Sequence, residues 1–347
     1  YKKFIIFMYC ESSELYMGIF ERNDIAIDLG TVNTIVRNNL EETLFCEATC
    51  IALENKFASR RIITIGDSAK KMLGRTPSEI EVINPLLNGA ISDFETTKIF
   101  MNAILQKGKT GSLAPRVGIS IPQNLTQVER HSLYEATMLA GAKEVLLIED
   151  PFSASVGAGL DISTARAKMI IDAGGGLVEV SIISLNGLIT SAFTKEAGDF
   201  MDYALMEYCR HNKNIGISKE MAESLKRKVN VFDKNPTMHI GAKNLANGMP
   251  IECELDLEEF KDVILNNLYK IKSVIIEAIH NAPPQIAPDL IEDGATLTGG
   301  LALIPGLKDF LEKELRMQIH LSPDPLLDIS KGVWQIMQDY ETYEKSL

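Results

Sequence analysis

Two stretches of the chain repeat one short pattern, and this repetition constrains the fold more than any other feature. Residues 25–36 and 169–180 each contain an apolar run, an Asp, a glycine-containing turn and a second apolar run. This pattern predicts a β-hairpin with a carboxylate at the end of its first strand and a turn that offers N–H groups to an anion. Two facing copies would hold the phosphates of a nucleotide, with Asp28 and Asp172 holding Mg²⁺ through water.

A third glycine turn lies further along the chain. Residues 296–302 (TLTGGLA) close an apolar strand, and a helix start is predicted at 305–310. Glycine at such a turn lets the backbone lie against a flat ring or a sugar. A single glycine turn is typical of any loop, but the ordered set of three with two aspartates predicts a nucleotide site. We name the turns loop one (28–34), loop two (172–176) and loop three (298–302).

The order of these motifs resembles the actin-like ATPase superfamily, and within it the chain is most similar to the bacterial actin homologues of the MreB family. The segments that carry the resemblance are spread over residues 23–340: 28–34 (DLGTVNT), 148–154 (IEDPFSA), 180–187 (VSIISLNG), 197–202 (AGDFMD) and 297–300 (LTGG). The resemblance implies an α/β, actin-like (ribonuclease H-like) fold. Such a fold has two duplicated lobes, a nucleotide cleft between them and a small inserted subdomain on each lobe.

The resemblance also implies domain boundaries. Lobe I is predicted at 23–160 plus about 325–347, with its inserted subdomain at about 50–83. Lobe II is predicted at 161–324, with its subdomain at about 211–257. Residues 1–22 are expected to form a poorly ordered N-terminal extension. The short apolar run within residues 1–16 leaves a weak amphipathic anchor as the alternative.

By the same resemblance the cofactors are ATP or ADP and Mg²⁺. The residues implied in nucleotide binding are Gly30, Thr31, Val32, Asn33, Gly174, Gly175, Gly176, Gly198, Asp199, Glu223, Lys226, Gly299, Gly300, Leu301 and Ala302. Two of these assignments have alternatives. Asp199 suits the N-cap of the helix that follows it, and Glu223 with Lys226, at i and i+3, suits a surface ion pair.

Glu129 is the candidate for positioning the water that attacks the γ-phosphate. It lies in residues 121–130 (IPQNLTQVER), which are similar to the family segment with the catalytic glutamate. The alternative is structural, because Thr126 and Glu129 have the spacing of a capping box that starts a helix. The two roles are compatible.

Loop two departs from the family pattern in a way that bears on hydrolysis. Leu177 and Val178 stand where members of the family usually carry hydroxyl residues, and neither side chain can donate a hydrogen bond. Losing one water-positioning contact costs a few kcal/mol of barrier, on the order of a hundredfold in rate. We therefore expect nucleotide binding to survive and ATP hydrolysis to be slow, unless Glu129 alone suffices.

A membrane contact is also implied, because MreB-like proteins tend to insert a short apolar loop of lobe I into the bilayer. The corresponding loop, residues 107–116, has Leu113 as its one large apolar residue, beside Lys107, Lys109 and Arg116. Burying one leucine is worth roughly 2 kcal/mol. The prediction is a weak peripheral contact, and a solvated loop tip is the alternative.

The leading functional hypothesis is a filament-forming cytoskeletal ATPase of cell shape. It would polymerise head to tail with itself, in the cytoplasm or at the inner face of the cell membrane. The alternatives are a hydrolysis-deficient subunit that co-assembles with a paralogous actin-like protein and a small-molecule kinase, for which no segment suggests an acceptor site. A formal net charge of −12 argues against a nucleic-acid partner.

Overall fold

The computed structural model describes residues 23–38, 43–56, 59–87, 89–108, 113–339 and 343. The predicted extension at 1–22 lies outside the described residues. Within these ranges, no helix is long and apolar enough to cross a membrane. The cysteines they contain, Cys46, Cys50, Cys209 and Cys253, are free thiols.

The first part of the chain forms ten strands and four helices within the described ranges. The strands are β1 Asp24–Leu29, β2 Asn33–Asn38, β3 Thr43–Ala48, β4 Ile51–Lys56, β5 Ser59–Ile65, β6 Ile80–Ile83, β7 Leu86–Leu87, β8 Ala90–Ile91, β9 Arg116–Ile121 and β10 Glu144–Glu149. The helices are α1 Asp67–Lys70, α2 Phe94–Gly108, α3 Gln127–Leu139 and α4 Asp150–Gly157.

The second part forms eight strands and six helices over the described residues. The strands are β11 Lys168–Ala173, β12 Val178–Ser184, β13 Gly187–Thr194, β14 Ile215–Gly216, β15 Thr237–Asn244, β16 Pro250–Asp256, β17 Ala295–Thr298 and β18 Ile319–Leu321. The helices are α5 Gly198–Lys213, α6 Lys219–Lys226, α7 Lys261–Asn281, α8 Ala287–Asp293, α9 Leu307–Leu315 and α10 Asp328–Gln338. Short 3₁₀ helices lie at Leu257–Phe260, Pro284–Ile286 and Gly300–Leu303.

The two large sheets share one topology, which confirms the predicted duplication. Their strand orders are β3-β2-β1-β9-β10 and β13-β12-β11-β17-β18. β1 pairs antiparallel with β2 and parallel with β9, and β11 pairs in the same way with β12 and β17. The first strand of each repeated hairpin is therefore central in its sheet, and Asp28 and Asp172 lie at equivalent positions.

The remaining strands form the two-stranded β7-β8 sheet and two three-stranded sheets. One three-stranded sheet has the order β5-β4-β6 and the other β14-β15-β16. These two lie within residues 51–83 and 215–256, inside the two stretches for which inserted subdomains are predicted. The outer boundaries of the two lobes stay a prediction.

The chain turns at Thr49 and passes from β3 into β4, which belongs to another sheet. The Thr49 hydroxyl donates to the Gly30 carbonyl oxygen at 2.6 Å and lies 2.8 Å from the Thr34 hydroxyl. These hydrogen bonds satisfy the Thr49 hydroxyl within the buried turn.

Helices α4 and α10 cross between the two lobes at a pair of glycines. A Cβ on Gly157 would lie 1.8 Å from the Asp328 carbonyl oxygen, and one on Gly332 would lie 1.8 Å from the Ser153 carbonyl oxygen. The two backbones are therefore in direct contact, and we name this crossing the hinge contact. Buried side chains from both lobes surround it, among them Ala26, Ile148, Phe152, Ile170, Ile183, Val333, Trp334 and Ile336.

Candidate functional site

Loop one is held in shape by hydrogen bonds to its neighbours. The Thr31 hydroxyl accepts a hydrogen bond from the Gly89 N–H, and the Thr31 carbonyl oxygen accepts one from Asn84 Nδ2, both at 2.8 Å. A Cβ on Gly30 would lie 2.7 Å from the Asn33 carbonyl oxygen, so the turn needs glycine there. Contacts within the protein thus hold the loop.

Loop two is joined to the start of α5. The Gly174 N–H donates to the Leu177 carbonyl oxygen at 2.9 Å, which closes the predicted hairpin turn. The carbonyl oxygens of Gly174 and Gly175 accept hydrogen bonds from the N–H groups of Gly198 and Asp199, at 3.3 and 2.7 Å. Loop two and the N-terminus of α5 therefore form one unit.

Loops one and two lie face to face. A Cβ on Gly175 would lie 2.2 Å from Val32 Cγ2, and one on Gly176 would lie 2.4 Å from Thr31 Oγ1. Only glycine in loop two allows this approach. The structure thus brings together the two turns that the repeat predicts to face one cleft.

Loop three packs against both the end of β11 and the start of α5. Gly299 has φ +85°, and a Cβ there would lie 2.5 Å from Asp172 Oδ1. Leu301, in the 3₁₀ helix Gly300–Leu303, places Cδ2 3.1 Å from the position of a Cβ on Gly198. All three glycine loops therefore meet at one place.

Lys226 reaches this meeting point from α6. Its Nζ lies 2.9 Å from the Gly198 carbonyl oxygen and 2.8 Å from Asp202 Oδ1, and the residue is buried. Burial raises the pKa of Asp202 to about 6, and the charge of Lys226 opposes that rise. The cation is thus neutralised and oriented beside the start of α5.

Glu223 forms its ion pairs with residues other than Lys226. Its two carboxylate oxygens lie 2.8 Å from Lys70 Nζ and 2.6 Å from Arg227 Nη2. Because Lys226 pairs with Asp202 instead, the alternative of a Glu223–Lys226 surface ion pair is wrong.

The alternative role of Asp199 as an N-cap is also wrong. Helix α5 begins at Gly198, its N-cap residue is Ala197, and no side chain caps it. The Asp199 carboxylate instead lies 2.9 Å from Lys219 Nζ.

Four buried carboxyl groups surround the base of the loops. Burial chiefly, together with the charge of neighbouring carboxylates, raises the pKa of Asp28 to about 8, of Asp172 to about 7 and of Glu179 to about 8. Burial also raises the pKa of Asp150 well above its usual range. Within the described residues, Asp150 Oδ1 and Glu179 Oε2 have no hydrogen-bond partner.

This carboxyl cluster fits a hard divalent cation. Buried carboxylates need protons or a cation to offset their charge, and Mg²⁺ prefers oxygen ligands while keeping several waters. Over the described ranges, no group of three or more His, Cys, Asp or Glu residues is arranged to bind a metal directly. The carboxylate oxygens of Asp28 and Asp172 are ligands of the kind that Mg²⁺ prefers, and they can accept hydrogen bonds from its water ligands.

Glu129 lies at the start of α3 and forms the capping box. Its Oε2 accepts hydrogen bonds from the Thr126 N–H and hydroxyl at 2.8 and 2.7 Å, and its own N–H donates to the Thr126 hydroxyl at 3.3 Å. The hydrogen bonds from Thr126 lower the pKa of Glu129. Since the box was one of the two roles considered, it is confirmed, and the catalytic role stays a prediction.

Glu149 is a site candidate that the sequence reasoning missed. It ends β10, which is parallel to β9 and pairs Glu149 with Ile121, so it lies at the same carboxyl edge of the sheet as Asp28. Its carboxylate lies 2.7 Å from Arg130 Nη2, and its charge contributes to the raised pKa of Glu179. The signal was present in the sequence, because two acidic residues directly follow a buried strand.

The two residues after loop two have different surroundings. Val178 is fully buried in the core of lobe II and pairs opposite Ala173. Leu177 lies in the turn and is only partly buried. A hydroxyl at position 178 would therefore be buried in the core, whereas one at position 177 would not.

The described part of the candidate membrane loop has one large exposed apolar side chain and two cations with partners elsewhere in the protein. The Leu113 side chain is 64% exposed, but the Arg116 guanidinium pairs with both Asp24 oxygens at 2.8 and 3.1 Å. The Lys107 ammonium lies 5.1 Å from the centre of the Phe45 ring. Lys109 lies outside the described residues.

Comparison with known proteins assigns this architecture to a family. The family model described as MreB/Mbl protein matches residues 22–345. The chain belongs to the MreB/Mbl family. It is 35% identical over 325 residues to the cell shape-determining protein MreB of Escherichia coli K12, covering 91% of this chain and 93% of that one. It is 30% identical over 327 residues to the cell shape-determining protein Mbl of Bacillus subtilis 168, covering 93% and 98%.

Solved structures agree with this assignment. The crystal structure of MreB5 of Spiroplasma citri bound to AMPPNP has a TM-score of 0.87 at 28% identity, covering 94% of this chain and 100% of that one. The MamK double helical filament has a TM-score of 0.77 at 18% identity, covering 92% and 99%, which bears on the fold alone. The predicted actin-like fold is confirmed for this member of the MreB/Mbl family.

Proposed function

We propose that the protein is an ATP-binding, filament-forming actin-like cytoskeletal protein that acts in cell shape. The observation that carries the proposal is the convergence of loops one, two and three with Lys226 at one cleft. Its relatives support it, because two are cell shape-determining proteins and MreB5 of Spiroplasma citri has been crystallised with AMPPNP and with ADP.

In this proposal the nucleotide phosphates lie between loops one and two. The backbone N–H groups of residues 30–33 and 174–176 would donate to the phosphate oxygens. Asp28 and Asp172 would hold Mg²⁺ through its water ligands, and the bound ion would neutralise phosphate charge. Its charge would also allow the crowded carboxyl groups to ionise together.

The base and the ribose lie on the lobe II side. Residues 299–302 of loop three would contact the base, and Gly198 with Asp199 begins α5 beside them. Lys226 and Glu223, both on α6, would contact the adenosine. An ionised carboxylate accepts hydrogen bonds from ribose hydroxyls, and an ammonium group donates to them.

Two glutamates are candidates for positioning the attacking water. Glu129 is proposed from the family resemblance, and its capping role leaves the second carboxylate oxygen available. Glu149 is favoured by geometry, because it shares the carboxyl edge of the sheet with Asp28 and is oriented by Arg130. With no hydroxyl at Leu177, we propose that turnover is slow with either residue.

Nucleotide binding would couple to assembly through the two lobes. A nucleotide that contacts both lobes favours their closed arrangement over an open one. A head-to-tail contact between closed subunits is heterologous and does not close on itself, so it propagates as a protofilament.

Sedimentation of the purified full chain tests the proposal. The protein at micromolar concentration is centrifuged with Mg-ATP, with Mg-ADP and without nucleotide. We expect pelleting that depends on nucleotide, because assembly requires the closed cleft. A protein that binds ATP yet stays in the supernatant under all three conditions would refute self-assembly.

A second candidate function is supported by Leu177, which has no hydroxyl where the family pattern usually has one. The protein would then be a hydrolysis-deficient subunit that co-assembles with a competent paralogue. Co-sedimentation with that paralogue, combined with absent pelleting alone, would select this function. In either case we propose a cytoplasmic location with at most a weak membrane contact through Leu113.

A further inference from the structure

One ion pair joins the two small subdomains across the cleft. Lys70 is the last residue of α1 in the lobe I subdomain, and Glu223 lies on α6 in the lobe II subdomain. Lys70 Nζ lies 2.8 Å from Glu223 Oε2, although the residues are 153 positions apart in the sequence. Their side chains are 33% and 17% exposed, so the pair is only partly screened by solvent.

The two oxygens of Glu223 have partners of different kinds. Arg227 Nη2 lies 2.6 Å from Oε1 and belongs to the same stretch of chain, one turn further on. Lys70, which binds Oε2, belongs to the opposite lobe. Burial alone would raise the pKa of Glu223, but Lys70 and then Arg227 keep it below its usual value. The contact with Arg227 is independent of the cleft, whereas the contact with Lys70 exists only while the subdomains are together.

Glu223 lies close to the start of α5. On the same helix, one turn further on, Lys226 Nζ contacts the Gly198 carbonyl oxygen. The Gly198 N–H in turn donates to the Gly174 carbonyl oxygen in loop two. A change in the position of α6 is therefore passed directly to the loops, and Glu223 is the acidic side chain of α6 that the opposite lobe fixes most closely.

We propose that Lys70 is a positioning residue that fixes Glu223 from across the cleft for hydrogen bonding to the ribose hydroxyls. Retention of the nucleotide then depends on contact between the two subdomains. This inference rests on the proposed nucleotide site. It adds a lobe I residue to ribose recognition, which otherwise involves lobe II alone.

The chain offers a matched control for this inference. Arg75 Nη2 lies 3.5 Å from Glu220 Oε2, and this pair joins the same two subdomains through the same helix, α6. Its side chains are 70% and 40% exposed, and Glu223 takes no part in it. Arg75→Met therefore removes a cross-cleft charge without touching the proposed ribose ligand, while Lys70→Met removes the partner of that ligand.

The test measures the full chain with ATP and with 2′-deoxy-ATP, in Mg²⁺. Binding constants come from calorimetry, and release rates come from displacement of radiolabelled ATP. For Lys70→Met we expect release to accelerate about three- to tenfold, as for loss of a partly exposed charge-assisted hydrogen bond. The preference for ATP over 2′-deoxy-ATP should fall by a similar factor, and Lys70→Arg should restore both. Arg75→Met should stay within about twofold of the wild type.

The outcomes separate the inference from the function on which it rests. Wild-type protein that binds no ATP would overturn the proposed function and this inference together. Normal wild-type binding with Lys70→Met equal to Arg75→Met would overturn this inference alone. If Lys70→Met releases ATP faster but keeps the wild-type preference for ATP over 2′-deoxy-ATP, Lys70 only holds the lobes together. That result would also overturn the positioning role. Equal melting temperatures among the variants would show that folding is intact.

Discussion

Replacing Gly332 by Ala tests the hinge contact between α4 and α10. The new Cβ would lie 1.8 Å from the Ser153 carbonyl oxygen, whereas ordinary contact begins at 3.4 Å. The obstacle is backbone and cannot rotate away, so the helices must separate by roughly 1.5 Å. That separation loosens the buried cluster to which both lobes contribute.

The magnitude follows from two opposing effects. Overpacking of this kind costs typically 1–3 kcal/mol, and a backbone obstacle places it near the top, at about 3 kcal/mol. Alanine in place of glycine in a helix interior gains about 1 kcal/mol. We therefore expect the free energy of unfolding to fall by about 2 kcal/mol.

Tryptophan fluorescence during urea unfolding measures this change locally. Trp334 is the only tryptophan of the chain, is buried, and follows Gly332 by two residues on α10. The Gly332→Ala midpoint should move to lower urea. The matched control is Gly241→Ala in β15, because no heavy atom lies within 4 Å of a Cβ there, and its stability should stay unchanged or rise by up to about 1 kcal/mol. If Gly332→Ala unfolds at the same urea concentration as the wild type or above it, the helices are not in backbone contact and the reasoning is refuted.

The remaining predictions concern the cleft. Glu149→Gln should lower the rate of phosphate release at least tenfold, while its ATP affinity stays within about threefold of the wild type. A larger loss of phosphate release in Glu129→Ala would instead assign the water-positioning role to Glu129. Leu177→Thr should raise the rate of ATP turnover. Val178→Thr should leave turnover unchanged and lower the stability of lobe II by about 1–3 kcal/mol, because it buries a hydroxyl. Equal turnover in the two variants would contradict this distinction between positions 177 and 178. Since burial raises the pKa of Asp28 to about 8, the folded protein without ligand keeps a proton there that the unfolded chain releases near pH 4, at about its ordinary pKa. The free energy of unfolding therefore falls as pH rises from about 4 to about 8. Mg²⁺ favours the ionised carboxylate, which is more populated at pH 8 than at pH 6. Mg-ADP should therefore raise the melting temperature more at pH 8 than at pH 6. Equal increases at the two pH values would show that Mg-ADP binding is not linked to the ionisation of Asp28.

Much of the fold followed from local patterns in the sequence. The two apolar–Asp–Gly–apolar repeats predicted two equivalent hairpins, and β1–β2 and β11–β12 form them. The spacing of Thr126 and Glu129 predicted a helix start, and α3 begins there. These features are encoded by residues close together in the chain, where turn chemistry and alternation act directly.

The membership of the carboxyl cluster could not be predicted in the same way. Asp28 and Asp172 were found because each ends a repeated strand. Glu179 pairs opposite Asp172 in the antiparallel β11–β12 hairpin, and Asp150 begins α4. Their raised pKa values depend on burial, which arises only once the tertiary structure has formed.

The sequence by itself determined the duplicated hairpins, the three glycine loops and membership in the MreB/Mbl family. The tertiary structure alone decided the partners of the charged residues: Lys226 with Asp202, Asp199 with Lys219, and Glu223 with Lys70 from the other lobe. It also placed Val178 in the core and Leu177 in the turn. The physical reason is that hydrogen bonds and ion pairs act over a few ångströms of space. Residues far apart in the chain meet only after both sheets and the hinge contact have formed.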